Sequence, residues 1–373
     1  MGAHETIAAM LEPAGITLNG SNPWDIRVID DRFYARVFAE GTLGLGESYM
    51  DGWWECDQID EMIARGLRAD AAKRLPINAN LIFLLASSWL TNRQNKSKAW
   101  QVADVHYDLG NDLFEATFDS RVTGSCGYWS GNPPAKNLDE SQDAKLDLIC
   151  RKIGVKKGQS VFDIGCGWGA FMGFAAEKYG AEVHGVTVSK EQVAYIKKRY
   201  ANLPVHPELK DYRDATGTYD HVVSMGMFEH VGPKNYRTYF KTAHRLLKDD
   251  GLFLLHTIGS PYSTNSIDPW LDKYIFPNGV LPSLAQVGSA IEWLFVVEDL
   301  HNFGADYDKT LVAWNDKFES NWQALKGRYD ERFRRMWRYY LLACAGGFRA
   351  RAIQLWQFVL SKKGIPGGYM TVR

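Results

Sequence analysis

Apolar residues in the second half of the chain follow two alternating patterns. Residues 161–164 form a short apolar run that only Asp163 interrupts, and residues 170–179 carry Phe174 and Tyr179 on one helical face. A short apolar run before a turn is typical of a buried strand, and recurrence every three or four residues is typical of a helix. The pattern therefore predicts a strand, a glycine turn and a helix at this point.

The alternation of strand and helix patterns continues to the C-terminus. It predicts an α/β fold, with a Rossmann-like, mainly parallel sheet and helices on both faces. Residues 260–289 interrupt the rhythm with proline and asparagine, after a strand end where such sheets bind ligands. The last predicted strand is expected to close the sheet. Further strands are predicted at 182–186, near 206–209, and at 219–225, 251–257 and 352–360, and helices at 190–200, 234–248, 308–325 and 329–348.

The first part of the chain is predicted to form a smaller, mixed α/β domain at residues 1–100, ahead of a larger domain at 101–373. Residues 24–30 alternate like a half-buried strand. Residues 41–57 carry four glycines and paired tryptophans, which indicates a tightly turned, packed segment. The segment offers no nucleophile–base pair, so a structural role is favoured for it.

The most apolar stretch of the chain is residues 80–90, which is too short to span a bilayer. Arg93, Lys96, Lys98 and Trp100 follow it. An apolar segment flanked by basic residues and tryptophan is typical of a membrane-interface segment. A buried helix that links the two domains explains the pattern equally well.

A second basic feature lies in the predicted helix at 329–348, which carries four arginines beside aromatic residues. A solvated face and a binding site for phosphate head groups are both consistent with such a run. The arginines are Arg332, Arg334, Arg335 and Arg338.

Composition narrows the classes of partner and compartment. Hydrophobic residues make up 46% of the chain, and 43 basic residues nearly balance 44 acidic ones, so no overall field favours nucleic acid. The five cysteines include no C-x-x-C pair, which indicates neither a zinc site nor a disulfide framework and fits a reducing cytoplasm. No secretory signal and no run of about 20 apolar residues occurs.

The glycine turn reads D-I-G-C-G-W-G at residues 163–169. This spacing differs from the dinucleotide motif G-x-G-x-x-G, and residues 183–189 lack the acidic residue that such a site places on the ribose. D-x-G-x-G-x-G after a strand resembles the first motif of class I S-adenosylmethionine (SAM) methyltransferases. A purely structural strand-to-helix turn is the alternative.

Eight stretches together resemble the long bacterial cyclopropane-fatty-acyl-phospholipid synthases. The resemblance covers nearly the whole chain, including G-L-G-E-S-Y-M-D-G-W-W-E-C-D at 44–57, in a domain that the shorter mycolic-acid cyclopropane synthases lack. It implies a lipid-associated or dimerisation domain at 1–100 and a catalytic domain at 101–373. The eight stretches are H-Y-D-L-G-N-D (106–112), S-C-G-Y-W (125–129), the glycine turn, F-E-H-V-G-P-K-N-Y (228–236), H-T-I-G (256–259), F-P-N-G (276–279), N-F-G-A-D-Y (302–307) and F-R-A-R-A-I-Q-L-W-Q (348–357).

The resemblance implies transfer of a methylene group from SAM to the cis double bond of an unsaturated acyl chain in a membrane phospholipid. The alkene attacks the SAM methyl group, and a base removes a proton from the resulting carbocation so that the ring closes. Such chemistry needs an apolar pocket that excludes water. The family also implies bicarbonate as the base, a homodimer, and a cytoplasmic enzyme that associates peripherally with the inner face of the cell membrane.

The family's anion site is implied to use five residues here. Taken singly, each has a simpler explanation: the histidine as a structural hydrogen-bond partner, the glutamate as a cap of the helix at 234–248, and the tyrosine as core. An anion beside a glutamate implies a shared proton. The five are Cys126 and Ile258 through their backbones, and Glu229, His256 and Tyr307.

For SAM, the resemblance implies contacts from Asp211 near the adenine and from Thr187 and Gln192 to the ribose and methionine. Cys344 matches a cysteine once proposed as catalytic in the family, although a thiol on an apolar helix is more often inert packing. The remaining implied SAM residues are Ser125, Cys126, Asp163, Gly165, Cys166, Gly167, Gly169 and Val188.

One position departs from the family pattern. Gly124 stands where relatives carry a tyrosine that contacts SAM. The departure leaves two rival enzymes open, one that makes methyl- or methylene-branched acyl chains and one that methylates a small soluble acceptor. A SAM-binding lipid protein without turnover is a third alternative, which intact Glu229, His256 and Tyr307 disfavour.

Overall fold

The computed structural model describes residues 2–71 and 110–373. These residues form two compact units, one of 2–71, 265–278 and 307–353 and a second of 110–264, 279–306 and 354–373. The apolar stretch at 80–90, its basic flank and the predicted boundary at residue 100 lie outside the described residues and stay predictions. Within the described ranges, every helix is too short or too polar to cross a membrane.

The sequence patterns correspond closely to the helices and strands of the second unit. The helices are α1 (Ala3–Leu11), α2 (Arg32–Glu40), α3 (Thr42–Met50), α4 (Ile59–Arg68), α5 (Asn111–Thr117), α6 (Leu138–Ile153), α7 (Ala170–Tyr179), α8 (Lys190–Arg199), α9 (Tyr236–Leu246), α10 (Pro269–Tyr274), α11 (Leu284–Ile291), α12 (Ala305–Leu325) and α13 (Glu331–Arg349). The strands are β1 (Arg27–Val28), β2 (Trp54–Glu55), β3 (Ser160–Ile164), β4 (Glu182–Thr187), β5 (Val205–Leu209), β6 (Tyr219–Met225), β7 (Leu247–Gly259), β8 (Val296–Asn302) and β9 (Gln354–Ser361).

The sheet of the second unit has the order β5-β4-β3-β6-β7-β9-β8. Strands β3 to β7 pair in parallel, and β9 runs antiparallel to both β7 and β8, so the mainly parallel sheet is confirmed. The prediction that the last strand closes the sheet is wrong, because β9 lies between β7 and β8. Strand β8 was not predicted, since its charged residues and exposed valines hide the alternation of a strand.

Both faces of this sheet carry an apolar core. One core combines β6 and β7 with α9, through residues such as Phe253 and Phe240. The other combines β3 and β4 with α6 and α7, through residues such as Ile149 and Phe171. The predicted helices on both faces are therefore confirmed, and together they leave the carboxyl ends of β3, β4, β6 and β7 to form the candidate site.

In the first unit, α13 packs against α3 and α4. The predicted strand at 24–30 shrinks to β1, which pairs with β2. The prediction of a tightly turned segment at 41–57 is wrong in its first half, because residues 42–50 form the helix α3. The glycines of α3 serve close packing instead: a Cβ on Gly46 would lie 2.4 Å from Cδ1 of Trp270.

The four arginines of α13 pair with carboxylates of the same unit. Arg332 Nε donates to Asp51 at 2.9 Å, Arg335 donates to Glu55 at 2.7 Å, and Arg334 and Arg338 both face Glu319. These pairs neutralise much of the helix's positive charge. They favour the interpretation of an internally paired face over that of a phosphate site.

Candidate cofactor and catalytic site

The glycine turn joins β3 to α7 and is anchored on β4. The backbone N–H groups of Gly165 and Cys166 donate to Val186 O at 3.1 and 3.0 Å. Gly165 and Gly167 have φ of +83° and +52°, the left-handed region that favours glycine. A Cβ on Gly165 would lie 2.5 Å from Met227 Cγ, whereas one on Gly167 would point into open space. The turn therefore keeps room for a ligand at Gly167.

Gly169 ends the turn and begins α7 as its N-cap residue. Its backbone N–H donates to Cys166 O at 2.8 Å, which closes the turn on itself. Cys166 is buried, and burial raises the pKa of its thiol, so the side chain stays neutral. Both residues shape the turn through backbone and packing.

Asp163 ends β3 with its carboxylate fully buried. Neither carboxylate oxygen has a hydrogen-bond partner among residues 2–71 and 110–373. Burial raises the pKa of Asp163 to about 7, and the charge of Lys145 acts in the opposite direction. A buried carboxyl group without partners is suited to a polar or cationic ligand.

Lys145, on the buried side of α6, is a feature that the sequence analysis missed. It is fully buried, and its Nζ donates to Ser125 Oγ at 2.9 Å. Burial lowers the pKa of Lys145 to about 8. Gln142, one helical turn earlier, donates through Nε2 to Ser125 O at 2.7 Å. Polar residues on the apolar face of a helix were the available signal, but no helix was predicted there.

The turn after β4 brings Thr187 and Gln192 into contact with each other. Thr187 Oγ1 donates to Gln192 Oε1 at 2.6 Å, and Gln192 Nε2 is buried without a partner in the described part of the chain. Val188 between them is half-buried, and Ser189 caps α8. The pair is positioned to bind a ligand through the free amide of Gln192, as predicted for SAM.

Asp211 follows β5 and is bound by Arg213. The guanidinium donates to both carboxylate oxygens, at 2.8 and 2.7 Å, and the Arg213 backbone N–H donates at 2.9 Å. Asp211 therefore stabilises its own turn, and its predicted adenine contact stays a prediction.

Glu229 lies in a short 3₁₀ turn after β6, and its carboxylate reaches β7. Its Oε1 accepts the backbone N–H of Ile258 at 2.6 Å, while Oε2 is buried and has no partner in the described ranges. Burial raises the pKa of Glu229 to about 7. The alternative that Glu229 caps the following helix is wrong, since α9 begins at Tyr236 after Asn235.

His256 lies on β7, two residues before Ile258, and is buried. Gln357 Nε2 lies 3.2 Å from His256 Nδ1. With Gln357 as donor, the ring proton resides on Nε2, which has no partner among the described residues. Burial and the charges of Lys145 and Lys152 hold the pKa of His256 well below its usual range. The neutral ring is therefore a hydrogen-bond donor inside a buried site.

Cys126 is also in the second unit, whereas Tyr307 and Cys344 belong to the first. Cys126 is buried, and its thiol donates to Gly127 O at 3.1 Å. Tyr307 stacks on Phe348 with ring centroids 4.5 Å apart. Burial raises the pKa of Cys344 to about 12, so its thiol is not a ready nucleophile. The predicted roles of all three stay predictions.

Comparison with known proteins places these features in a family. The model of the family "mycolic acid cyclopropane synthetase" matches residues 94–358. The cyclopropane-fatty-acyl-phospholipid synthase of Escherichia coli K12 is 51% identical over 98% of this chain and 94% of its own length. The tuberculostearic acid methyltransferase of Mycobacterium tuberculosis is 32% identical over 90% of this chain and 82% of its own.

A solved mycolic acid cyclopropane synthase, complexed with SAH and CTAB, gives the same result for the fold. It matches with a TM-score of 0.65 and 33% identity, over 70% of this chain and 98% of its own. The sheet order, the glycine turn and these matches agree. The chain therefore belongs to the cyclopropane-fatty-acyl-phospholipid and mycolic acid cyclopropane synthase family of SAM-dependent methyltransferases.

Proposed function

We propose that the protein transfers a methylene group from SAM to the cis double bond of an unsaturated phospholipid acyl chain, through a carbocation that bound bicarbonate deprotonates. The proposal is supported by the 51% identity to the Escherichia coli synthase over nearly the whole chain. The observation that carries it is a pair of buried, unpartnered atoms on adjacent strand ends, Glu229 Oε2 and His256 Nε2, counted over the described residues.

These two atoms are suited to hold an anion. Because Ile258 occupies Glu229 Oε1 and the pKa of Glu229 is about 7, a proton on this carboxyl group would reside on Oε2. His256 Nε2–H supplies a second donor. Two neutral donors can bind an anion without the charge repulsion that a carboxylate would bring. Cys126 and Ile258, through their backbones, and Tyr307 are proposed to complete the site.

SAM supplies the methyl group that becomes the bridging carbon. Asp163 and the turn at Gly165, Cys166, Gly167 and Gly169 are proposed to hold it, with Ser125 positioned by Lys145. Since SAM is a cation overall, it would offset the unpartnered charge of Asp163. Thr187, Val188, Gln192 and Asp211 are proposed to form the rest of the SAM site.

The lipid would reach this site from a membrane surface. The bound CTAB of the solved relative is a long-chain detergent, which is consistent with an acyl-chain pocket in the family. Peripheral association with the cytoplasmic face, a homodimer and a lipid-associated or dimerisation role for residues 1–100 are part of the proposal. Light scattering with and without vesicles measures the oligomeric state directly.

The direct test incubates the protein with SAM and vesicles of unsaturated phospholipid and analyses the acyl chains. We expect a mass gain of one CH2 unit together with the upfield NMR signals of cyclopropane protons. Product with that mass but without those signals would instead establish a methylene-branched chain. Unchanged lipid, with SAM bound, would reject catalysis on phospholipid altogether.

The anion site is tested with His256→Ala and Tyr307→Phe. Both variants should bind SAM normally and lose roughly 100-fold or more in turnover, because the lost groups act on the reaction and not on the cofactor. His244→Ala, a half-buried histidine of α9, is the control and should keep full activity. In carbonate-depleted buffer, added bicarbonate should restore wild-type turnover. Equal rates with and without it would remove the ion from the mechanism.

The second candidate function is methylation that yields a branched acyl chain. It is favoured by Gly124, where a Cβ added to the backbone would have only Phe118 within 4 Å, at 3.3 Å. It is also favoured by the match to a tuberculostearic acid methyltransferase. Gly124→Tyr should shift products toward the ring if Gly124 selects branching, as read from the ring-proton signals of the product lipid.

A further inference from the structure

Three metal-ligating side chains meet on the sheet edge formed by β4 and β5. Glu182 and His184 lie two residues apart on β4, so both side chains lie on the same face of the sheet. On β5, His206 is the register partner of His184. Glu182 is the first residue of β4, so the cluster lies at the opposite end of the strand from Thr187 and the candidate SAM site.

The distances within the cluster match those of a metal site. His206 Nε2 lies 3.1 Å and His184 Nε2 lies 3.4 Å from Glu182 Oε1, and all three ligand atoms lie within 4.8 Å of one another. Zinc bound tetrahedrally at its usual ligand distances of about 2.0 to 2.1 Å places ligand atoms roughly 3.3 to 3.4 Å apart. A small rotation of the imidazoles would bring all three separations to that value.

The surroundings favour a metal over a simple ion pair. His184 packs against Tyr219, with ring centroids 5.2 Å apart, and against His206 at 4.6 Å, which restricts both rings. Burial and the neighbouring His206 lower the pKa of His184, so its ring is neutral and has a lone pair to offer. Glu182 and His206 are exposed, which leaves an entry path and an open coordination position.

We propose that Glu182, His184 and His206 form a binding site for one divalent transition-metal ion of the zinc class. Two imidazole nitrogens and one carboxylate oxygen are a donor set that zinc accepts in proteins. In the described sheet, β5 pairs only with β4. A metal held by both strands would tie this edge strand to the sheet, and we therefore assign the site a stabilising role and no part in the reaction.

The experiment uses the untagged full-length protein, stripped with EDTA, dialysed and titrated with zinc chloride in a calorimeter. We expect one equivalent of zinc to bind and the melting temperature to rise with zinc concentration, because the metal binds the folded state. His184→Gln and His206→Gln should each weaken this binding at least tenfold, and the double variant should abolish it. His4→Gln, an exposed histidine of α1, should bind zinc as the wild type does.

A spectroscopic readout reports the ligands themselves. With one equivalent of Cu²⁺, the wild type should show nitrogen hyperfine structure in its electron paramagnetic resonance spectrum, and the double variant should lose it. Equal SAM affinity in wild type and variants confirms that the variants are folded. Wild-type protein that binds no zinc at millimolar concentration, or a double variant that binds zinc as tightly as wild type, would overturn the proposal.

Discussion

Two carboxyl groups, Asp163 and Glu229, are buried without full hydrogen bonding, and burial raises the pKa of each to about 7. A carboxyl group whose pKa is raised on folding stabilises the protein fully only below its unfolded pKa, near 4. That contribution is lost as the pH rises through the folded pKa, near 7. The apo protein is therefore expected to lose stability between about pH 4 and 7, which is a cost of keeping these groups ready for ligands.

Asp163→Asn tests this cost. At pH 8 the apo variant should be more stable than the wild type, by at most roughly 4 kcal/mol for a shift of about three pKa units, and the gain should vanish near pH 4. SAM affinity should fall at pH 8, because the variant no longer offers a carboxylate to the cationic ligand. Urea denaturation and calorimetry at both pH values measure the two effects.

The control for this variant is Asp249→Asn, at an exposed carboxylate paired with Lys362 and Lys363. It should leave SAM affinity unchanged. An Asp163→Asn variant that binds SAM as well as the wild type at pH 8 would remove Asp163 from the cofactor site.

Gly167→Ala tests the glycine turn at the same scale. A Cβ there meets no atom within 4 Å, so the protein should lose only the roughly 1 kcal/mol that alanine costs at positive φ. SAM affinity should fall at least tenfold if the open space belongs to SAM. Gly158→Ala is the matched control, with φ of +81° and equally open surroundings before β3. Calorimetric SAM affinities that fall equally in both variants would show that strain alone is responsible.

At the scale of elements, the glycines of α3 allow a helix to pack at close range. Gly46 lies against Trp270, whereas a Cβ added to Gly66 of α4 would have nothing within 4 Å. Both are interior helix positions in the first unit. Helical propensity alone would favour alanine at both, so any difference between them measures packing.

Gly46→Ala should therefore lower the free energy of unfolding by about 1–3 kcal/mol through overpacking. Gly66→Ala should raise it by up to about 1 kcal/mol. Guanidinium denaturation of the two variants measures both values. A stabilised Gly46→Ala protein would show that the contact between α3 and Trp270 is not close in solution.

At the scale of the whole molecule, the proposed reaction poses a problem of access. The double bond of a phospholipid lies deep in the hydrocarbon, and the described residues include no helix that could follow it there. The protein must then dock on the surface and take the acyl chain into a pocket. With the arginines of α13 paired to carboxylates, the apolar stretch at 80–90 and its basic flank are the remaining docking candidate.

Docking of this kind predicts stronger binding to anionic than to neutral vesicles, and a partial loss of binding as salt rises. Replacing Arg93, Lys96 and Lys98 by glutamate should weaken vesicle binding without changing SAM affinity. The triple change at Lys197, Lys198 and Arg199, exposed at the end of α8, alters the charge equally and should have little effect. Sedimentation with vesicles measures both, and equal binding by the first variant and wild type would leave 80–90 as a buried linker.

Local patterns in the sequence were sufficient for the strand, turn and helix around Asp163, and for the alternation that predicts a mainly parallel sheet. They were sufficient because apolar periodicity and glycine act over a few residues, and each element carries its own signal. The same reasoning, joined to a family resemblance, named Glu229 and His256 as site residues. That both are buried groups with unpartnered atoms became visible only in the folded chain.

The tertiary structure decided what depends on residues distant in sequence. It placed β9 inside the sheet and β8 at its edge, because strand order follows from packing and not from chain order. It revealed Lys145 beneath Ser125, whose lowered pKa reflects burial among groups from several elements. It also joined His206 to Glu182 and His184, where the cysteine pattern had predicted no metal site. These features arise from side chains that meet only after folding, and short-range periodicity holds no record of such meetings.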